Sequence, residues 1–287
     1  MAKQKLVMIG NGMAGLRTIE EILERSQSQF DITIIGKEPY PNYNRIMLSN
    51  ILQKKMTVED TIMNPYDWYQ ENNIELINND PVEKVDKENK IVTTSKGIEV
   101  EYDICIFATG SKAFVLPIPG SNLPSVIGWR TIDDTNKMIE IAQTKKRAVV
   151  IGGGLLGLEC ARGLLDQGME VTVLHLADWL MEMQLDRKAG EMLKADLEKQ
   201  GMKIELQANS KEIIGDKDVE AIKLADGRVI ETDLVVMAVG IRPYTEVAKD
   251  SGLDVNRGIV VNDYMQTSDS HIYAVGECAE HDGKVYG

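Results

Sequence analysis

The hydrophobic pattern of the chain contains one arrangement twice. In the second half, a short apolar run from Arg147 to Ile151 leads directly into Gly152-Gly153-Gly154-Leu155-Leu156-Gly157. Apolar and small residues at helical spacing follow, and another apolar run begins after Gly168. This succession predicts a strand, a glycine turn, a helix and a second strand, which is the context in which Gly-x-Gly-x-x-Gly binds a dinucleotide.

The N-terminus shows the same succession. Lys5 to Ile9 precedes Gly10-Asn11-Gly12-Met13-Ala14-Gly15, and a helical segment and a strand at 32–35 follow. In each motif the first glycine allows a tight turn, the second lets the backbone approach a pyrophosphate, and the third brings the helix close to the strand. The N–H groups at the start of each helix would face the phosphates.

Each half also closes in the same way. Asp103 to Gly110 and Asp233 to Gly240 are apolar runs that end in Ala-x-Gly. We therefore predict an internally duplicated α/β protein with two Rossmann-like dinucleotide-binding domains, one inserted in the other, and small antiparallel β pieces, one of them at 81–94. The predicted boundaries are 1–115 with 242–287 for the first domain and 116–241 for the second.

An acid at the end of the second strand of such a unit commonly binds a ribose hydroxyl. In the first unit the candidate is Glu38, and the alternative is a solvated loop carboxylate. In the second unit His175 stands where the acid is expected, and it either hydrogen-bonds a ribose or caps the strand. No arginine cluster follows at once to bind a 2′-phosphate, which favours NADH over NADPH.

The Pro39 to Arg45 loop, with two tyrosines and an arginine, either lines a flat electron-accepting ring or is a plain turn.

Composition narrows the function. The 287 residues are 43% hydrophobic and 27% charged, with a net charge of −13, which argues against a nucleic-acid ligand and an anionic membrane surface. No apolar run reaches the length of a membrane span and no signal peptide is evident, so we expect a cytoplasmic protein. The three cysteines form no Cys-x-x-Cys pair, and Cys105 and Cys160 fit small core positions.

The chain resembles the two-dinucleotide flavoprotein reductases, the glutathione-reductase-like group, and within it the N-terminal reductase portion of the NAD(P)H-dependent assimilatory nitrite reductases. The segments that carry the resemblance are the two glycine motifs, Tyr43 to Ser49, Ala108 to Ser111, Arg130 to Asp134, Gln184 to Asp186, Gly240 to Pro243 and Ala274 to Ala279.

The resemblance implies two cofactors, FAD and NADH or NADPH, and a set of binding residues. Those toward FAD are Gly10, Gly12, Met13, Ala14, Gly15, Glu38 at the adenosine ribose, Arg45, Val82 at adenine, Ala108, Thr109, Gly110, Arg130, Gly276 and Glu277 at the ribityl chain. Those toward NAD(P)H are Gly152, Gly154, Leu155, Leu156, Gly157 and Glu159, which would face the nicotinamide. His175, from its position at the strand end, and Gly240 are further candidate cofactor-binding residues. No catalytic acid or base and no metal ligand is predicted.

Two departures from the wider group matter. Relatives of the ferredoxin-reductase type carry a lysine where this chain has Asn50, and the disulfide members carry a redox cysteine that the Asn42 to Ser49 loop lacks. The absence of the lysine argues against a simple ferredoxin reductase, and without the cysteine a thiol substrate is not expected.

The resemblance implies that electrons pass from NAD(P)H through FAD to an iron–sulfur and sirohaem acceptor, in domains further along the same polypeptide, in a possible homodimer. The chain would then be the reductase portion alone. A stand-alone rubredoxin or ferredoxin reductase is the alternative, and a non-enzymatic dinucleotide-binding sensor is a remote third.

Overall fold

A computed structural model describes residues 3–26 and 28–285. The helices found there are α1 Met13–Ser26, α2 Leu48–Leu52, α3 Tyr66–Glu71, α4 Ile132–Thr144, α5 Leu155–Asp166, α6 Arg187–Lys199 and α7 Glu246–Asp250. The strands up to the end of the first half are β1 Gln4–Ile9, β2 Phe30–Ile35, β3 Asn42–Tyr43, β4 Ile62–Asn64, β5 Ile74–Ile77, β6 Val82–Asp86, β7 Ile91–Thr94, β8 Glu99–Glu101, β9 Ile104–Phe107 and β10 Ser111–Ala113.

The remaining strands are β11 Val126–Gly128, β12 Arg147–Ile151, β13 Glu170–Leu174, β14 Lys203–Glu205, β15 Ser210–Ile214, β16 Ala221–Leu224, β17 Val229–Glu231, β18 Leu234–Met237, β19 Ile241–Pro243, β20 Ile259–Val261, β21 Ile272–Ala274, β22 Ala279–His281 and β23 Lys284–Val285. Short 3₁₀ turns occur at Arg45–Met47, Glu59–Thr61 and Gly276–Cys278. Along the described ranges, no helix is both long and apolar enough to cross a bilayer.

The contacts divide the chain into two compact units. The first comprises Met1–Asn44, Ile62–Lys112 and Arg242–Gly287, of which residues 1, 2, 27, 286 and 287 lie outside the described ranges. The second comprises Arg45–Thr61 and Ala113–Ile241. The sequence-based boundaries assigned residues 45–61 to the first domain, whereas their contacts place them in the second unit.

A parallel five-stranded sheet forms the centre of the first unit, in the order β21-β9-β1-β2-β5. Alternate residues of β1 serve opposite faces, as the two-residue period of a strand requires. Val7 and Ile9 join one buried cluster, and Leu6 and Met8 join another on the opposite face, with Leu16 and Ile19 of α1. Burial on both faces explains why β1 reads as a continuous apolar run.

The second unit repeats this plan. Its sheet has the order β11-β18-β12-β13-β14, and each pairing is parallel. In both sheets the chain adds strands on one side of the central strand and then returns to pair with its other side. The strand order therefore reverses between β1 and β9 in the first sheet and between β12 and β18 in the second. Ligands of open α/β sheets bind outside the carboxyl ends of the strands at such a switch point. The predicted α/β fold with two Rossmann-like units is confirmed.

Each unit also carries a three-stranded antiparallel sheet. In the first unit it is β6-β7-β8, where the sequence predicted antiparallel strands at 81–94. In the second unit it is β15-β16-β17. The internal duplication thus extends beyond the glycine turns.

Helix α2 is held in the second unit by a close contact with α5. A Cβ added at Gly163 of α5 would lie 2.6 Å from Leu52 Cγ, so the two helices approach as closely as a glycine allows. The Gln167 side chain also donates a hydrogen bond to the Leu52 carbonyl, at 2.7 Å. This contact explains why residues 45–61 belong to the second unit.

We expect Gly163→Ala to destabilise the protein, although alanine is the better helix former. The new methyl group overpacks against Leu52, which costs about 1–3 kcal/mol, whereas the helix propensity gained is about 1 kcal/mol. In a Leu52→Ala background the methyl group has room, so the same Gly163→Ala change should stabilise the protein by up to about 1 kcal/mol. Thermal and chemical unfolding of the unaltered protein, the two single variants and the double variant measures the coupling. Additive effects of the two changes would show that this contact does not hold α2.

Candidate dinucleotide-binding sites

The first glycine turn follows β1 and lies between the carboxyl ends of the two strands that flank it, β2 and β9. Gly10 has φ +115°, and its N–H donates to the Ile35 carbonyl at 2.8 Å. A Cβ at this position would lie 2.2 Å from the carbonyl oxygen of Ala108. Both the backbone angle and the lack of space therefore require glycine.

The next two glycines of this motif have opposite surroundings. A Cβ at Gly12 would meet nothing within 4 Å, whereas one at Gly15 would lie 2.9 Å from the Ala108 Cβ. Leu16 is the first residue of α1 whose N–H reaches a carbonyl one helical turn back, that of Gly12 at 3.0 Å. The N–H groups of Met13, Ala14 and Gly15 thus have no acceptor within the helix, and they adjoin the open space beside Gly12.

The second glycine turn has the same geometry. Gly152 has φ +120°, and its added Cβ would lie 2.2 Å from the Ala238 carbonyl oxygen. Space is open around Gly154, and an added Cβ at Gly157 would lie 1.9 Å from the Gly152 carbonyl oxygen. Leu158 makes the first helical hydrogen bond of α5, to Gly154, so the helix begins with N–H groups that lack intrahelical acceptors.

Both turns therefore fit the pyrophosphate of a dinucleotide. Each combines an open glycine position, a helix N-terminus with unpaired N–H donors and the positive end of the helix dipole. All three features favour a phosphate, and a side chain larger than glycine at the open position would occupy the space that the phosphate needs.

Other predicted FAD residues of the first unit gather at the start of α1. Ala108 contacts the glycine turn, and Thr109 Oγ1 donates to the Tyr244 carbonyl at 2.9 Å. A Cβ at Gly276 would lie 2.7 Å from the Ala14 Cβ, which brings the Gly276–Cys278 turn against α1. The Glu277 carboxylate accepts a hydrogen bond from Ser111 Oγ at 2.7 Å, a partner that the sequence did not indicate.

Glu38 and Val82 lie at the same edge of the first sheet. Glu38 is half-buried, and its carboxylate accepts a hydrogen bond from Tyr43 Oη at 2.7 Å, so it is not merely solvated. The backbone N–H of Asn79 donates to the Glu38 carbonyl at 3.2 Å. Three residues after Asn79, the chain enters β6 at Val82. Contacts of Glu38 with a ribose and of Val82 with adenine stay predictions.

A buried polar cluster that the sequence analysis missed supports the first turn. Tyr69, 2% exposed, donates from its hydroxyl to Asn11 Oδ1 at 2.8 Å and accepts from the Asn42 N–H at 3.1 Å. Asn42 Nδ2 donates in turn to the Asn11 carbonyl at 3.1 Å. Burial raises the pKa of Tyr69, so its hydroxyl keeps its proton and acts as the donor. These bonds hold the glycine turn against the loop that begins at Pro39.

His175 holds the second turn from inside the protein. Its ring is buried, Nδ1 accepts a hydrogen bond from the Gly153 N–H at 3.0 Å, and Nε2 lies 2.9 Å from Glu182 Oε2. Both ring nitrogens are engaged in these contacts. The sequence left open whether His175 binds a ribose or caps the strand; in this structure its ring braces the glycine turn, and a contact with a ribose stays a prediction.

Gly153 is a further glycine that this motif requires. A Cβ there would lie 2.7 Å both from His175 Cγ and from Leu180 Cδ2. Its carbonyl accepts a hydrogen bond from the Met181 N–H at 3.0 Å. The three consecutive glycines were the only signal of this constraint in the sequence.

The other predicted residues also lie in the second unit. Glu159 is half-buried on α5, whereas Leu155 and Leu156 at its start are 61% and 39% exposed. Gly240 follows β18 and comes two residues after Ala238, whose carbonyl oxygen adjoins Gly152. Arg130 immediately precedes the predicted cap of α4, where Thr131 and Asp134 form a capping box, and Arg45 begins the 45–61 segment. The roles toward FAD that the resemblance implies for Arg45 and Arg130 stay predictions.

Comparison with known proteins decides the family. The family model described as pyridine nucleotide-disulphide oxidoreductase matches residues 4–286. This chain belongs to that family. The predicted class, a pyridine-nucleotide-dependent oxidoreductase of the two-dinucleotide group, is confirmed.

Individual relatives define the relationship more closely. Over its full length the chain is 56% identical to the NAD(P)H nitrite reductase of Bacillus subtilis strain 168 and 46% identical to the assimilatory nitrate reductase electron transfer subunit of the same organism. It spans only 36% and 37% of these two proteins. The crystal structure of a ferredoxin reductase from Rhodopseudomonas palustris superposes with a TM-score of 0.91 at 30% identity, covering 98% of this chain and 69% of that one.

The cysteines of this chain are not suited to the disulphide chemistry for which its family is named. Cys105, Cys160 and Cys278 are buried and form no disulfide in the structure. Burial raises the pKa of all three thiols, so that they stay protonated across the physiological range. Because the thiolate is the reactive form, none of the three is suited to redox exchange.

We expect all three thiols to resist an aromatic disulfide reagent in the folded protein from pH 7 to pH 9. A raised pKa keeps the thiol protonated as the pH rises through this range, and burial blocks access. Full reaction should appear only after unfolding in guanidinium. Rapid labelling of one cysteine in the native protein, followed absorptiometrically, would contradict this assignment.

Proposed function

We propose that this chain is a reductase module that takes electrons from NADH or NADPH and passes them through FAD to a separate acceptor, as the reductase portion of a nitrite reductase. The observation that supports this most directly is the pair of glycine turns with the same geometry, one in each unit. A single turn would suit any nucleotide, whereas two suit a protein that binds two dinucleotides.

The residues of the first unit would hold FAD. The N–H groups at the start of α1 would bind its pyrophosphate beside Gly12. The carboxylates of Glu38 and Glu277 would accept hydrogen bonds from hydroxyl groups of the cofactor, and the hydroxyls of Tyr43 and Ser111 already orient them. When bound, FAD supplies the capacity to take up two electrons and release them singly.

The residues of the second unit would hold NAD(P)H. The N–H groups at the start of α5 would bind its pyrophosphate beside Gly154, and the Glu159 carboxylate on the first turns of the same helix would orient the nicotinamide. His175 would act indirectly, since it fixes the turn that receives the phosphates.

The acceptor would lie in other domains. The B. subtilis nitrite reductase, to which the chain is 56% identical, extends far beyond the matched 36%. We propose that iron–sulfur and sirohaem domains follow in the same polypeptide and that a homodimer forms. A cytoplasmic location is likewise a proposal.

A second candidate function is supported by the comparison with solved structures. The ferredoxin reductase of R. palustris has the same fold over 98% of this chain, so a small iron–sulfur protein is an alternative acceptor. Reduction of an added ferredoxin or rubredoxin at a rate comparable with that of an artificial electron acceptor would favour this candidate.

We expect Gly12→Ala and Gly154→Ala to separate the two cofactors. Neither glycine has a positive φ and neither added Cβ meets any atom of the protein within 4 Å, so the folded chain should tolerate both changes. Each methyl group would instead intrude on the pyrophosphate of its own ligand. Gly12→Ala should weaken FAD binding about tenfold or more, and Gly154→Ala should leave FAD bound but raise the NADH concentration needed for half reduction by a similar factor.

The measurement is the visible spectrum of the FAD-saturated protein, titrated with NADH without oxygen. Bleaching of the flavin band by NADH is the expected result for the unaltered chain. Equal thermal unfolding of the three proteins without added nucleotide controls for folding. A chain that binds neither FAD nor NADH, or whose two variants lose the same ligand, would overturn the proposal.

A further inference from the structure

We propose that Glu182 selects NADH over NADPH, taking the place of the acid that normally ends the second strand of such a unit. The inference rests on the proposed function, because it assumes that NAD(P)H binds at the second glycine turn. It goes further by naming the residue and the contact that distinguish the two nucleotides.

The first step is the state of His175, which occupies the strand-end position. A backbone N–H can only donate, so Nδ1 of His175 must accept from Gly153 and therefore carries no proton. Nε2 then carries the proton and donates to Glu182 Oε2. The neutral ring is fully engaged and presents neither a carboxylate nor a spare nitrogen to a ribose.

The second step is the position of Glu182, which is fixed relative to the glycine turn. The His175 ring bridges the Gly153 N–H on one side and the Glu182 carboxylate on the other, at 3.0 and 2.9 Å. The preceding residue, Met181, has φ +57° and donates its N–H to the Gly153 carbonyl at 3.0 Å. Leu180 is completely buried against Gly153. Although it lies seven residues beyond His175 in the chain, Glu182 is thus tied through the imidazole to the turn that receives the phosphates.

The third step is the availability of its second oxygen. The Glu182 side chain is 35% exposed, and among residues 3–26 and 28–285 the structure gives Oε1 no hydrogen-bond partner. An exposed carboxylate oxygen beside a glycine turn can accept hydrogen bonds from the hydroxyl groups of a ribose. The hydrogen bond from His175 Nε2 to the other oxygen, Oε2, holds the carboxylate in place.

The charges around this position disfavour a 2′-phosphate. Residues 175–186 include Asp178, Glu182 and Asp186 but neither lysine nor arginine. The next residue, Arg187, forms an ion pair with Asp178 at 2.9 Å, and Arg228 forms one with Glu205 on β14 at 2.6 Å. Both basic side chains are thus already engaged by carboxylates. A phosphate monoester carries about −1.5 to −2 charges at neutral pH, so it would meet an unbalanced carboxylate at Glu182.

Two non-reducible probes test the inference on the full FAD-loaded chain: ADP-ribose and its 2′-phosphate, titrated calorimetrically. The unaltered protein should bind ADP-ribose at least about tenfold more tightly. Glu182→Gln keeps the size of the side chain and an acceptor for His175 but removes the charge. It should bring the ratio of the two dissociation constants about tenfold closer to one, mainly through tighter binding of the phosphorylated probe.

Asp186→Asn is the matched control, because it removes one negative charge from the same segment while asparagine keeps the hydrogen bond that this side chain accepts from the Ala189 N–H at 2.9 Å. Its ratio should stay within about twofold of the unaltered protein. If both probes bind and Glu182→Gln leaves their ratio unchanged, Glu182 does not select the nucleotide and this inference is wrong. If neither probe binds the unaltered protein while FAD does, the proposed NAD(P)H site itself is wrong.

Discussion

The whole arrangement depends on one close approach, that of a glycine backbone to a carbonyl group on the neighbouring strand. At Gly10 and again at Gly152 there is no room for a side chain between the turn and the Ala-x-Gly segment beside it. Both residues also adopt a backbone angle that is accessible essentially to glycine alone. Because the turn is so tight, each helix starts directly above the end of the central strand. Its N–H groups without intrahelical acceptors therefore lie at the carboxyl edge of the sheet, at the switch in strand order where open α/β sheets bind their ligands.

The two units stabilise the same turn by different means. In the first, a buried tyrosine and two asparagines form a hydrogen-bonded cluster around Asn11. In the second, an imidazole and a backbone N–H bind Gly153 from the loop after β13. Hydrogen bonds offset the cost of burying such polar groups, and in return these groups fix a backbone that glycine alone would leave free. Preorganisation of the turn raises the affinity for a phosphate, because donors that are already in place need not be ordered on binding.

The chemistry that follows is that of the cofactors, and the chain contributes binding, orientation and protection. It belongs to a family named for disulphide chemistry, yet its cysteines are buried and their thiols stay protonated. The electron path that we propose therefore runs through the flavin to a separate acceptor rather than through a thiol pair. The close relation to a nitrite reductase and the fold shared with a ferredoxin reductase agree on a reductase module and differ in the acceptor.

The sequence by itself determined the duplicated α/β plan, the glycine turns and the strands that flank them, because these features depend on local patterns. A buried parallel strand reads as an apolar run, and a turn that excludes side chains reads as glycine. The sequence also placed Glu38 and His175 at their strand ends. Only the tertiary structure decided what those side chains do, since Tyr43, Gly153 and Glu182 become their partners through the path of the chain and not through spacing. For the same reason the sequence did not reveal that residues 45–61 pack in the second unit, because the contact between Leu52 and Gly163 joins positions far apart in the chain.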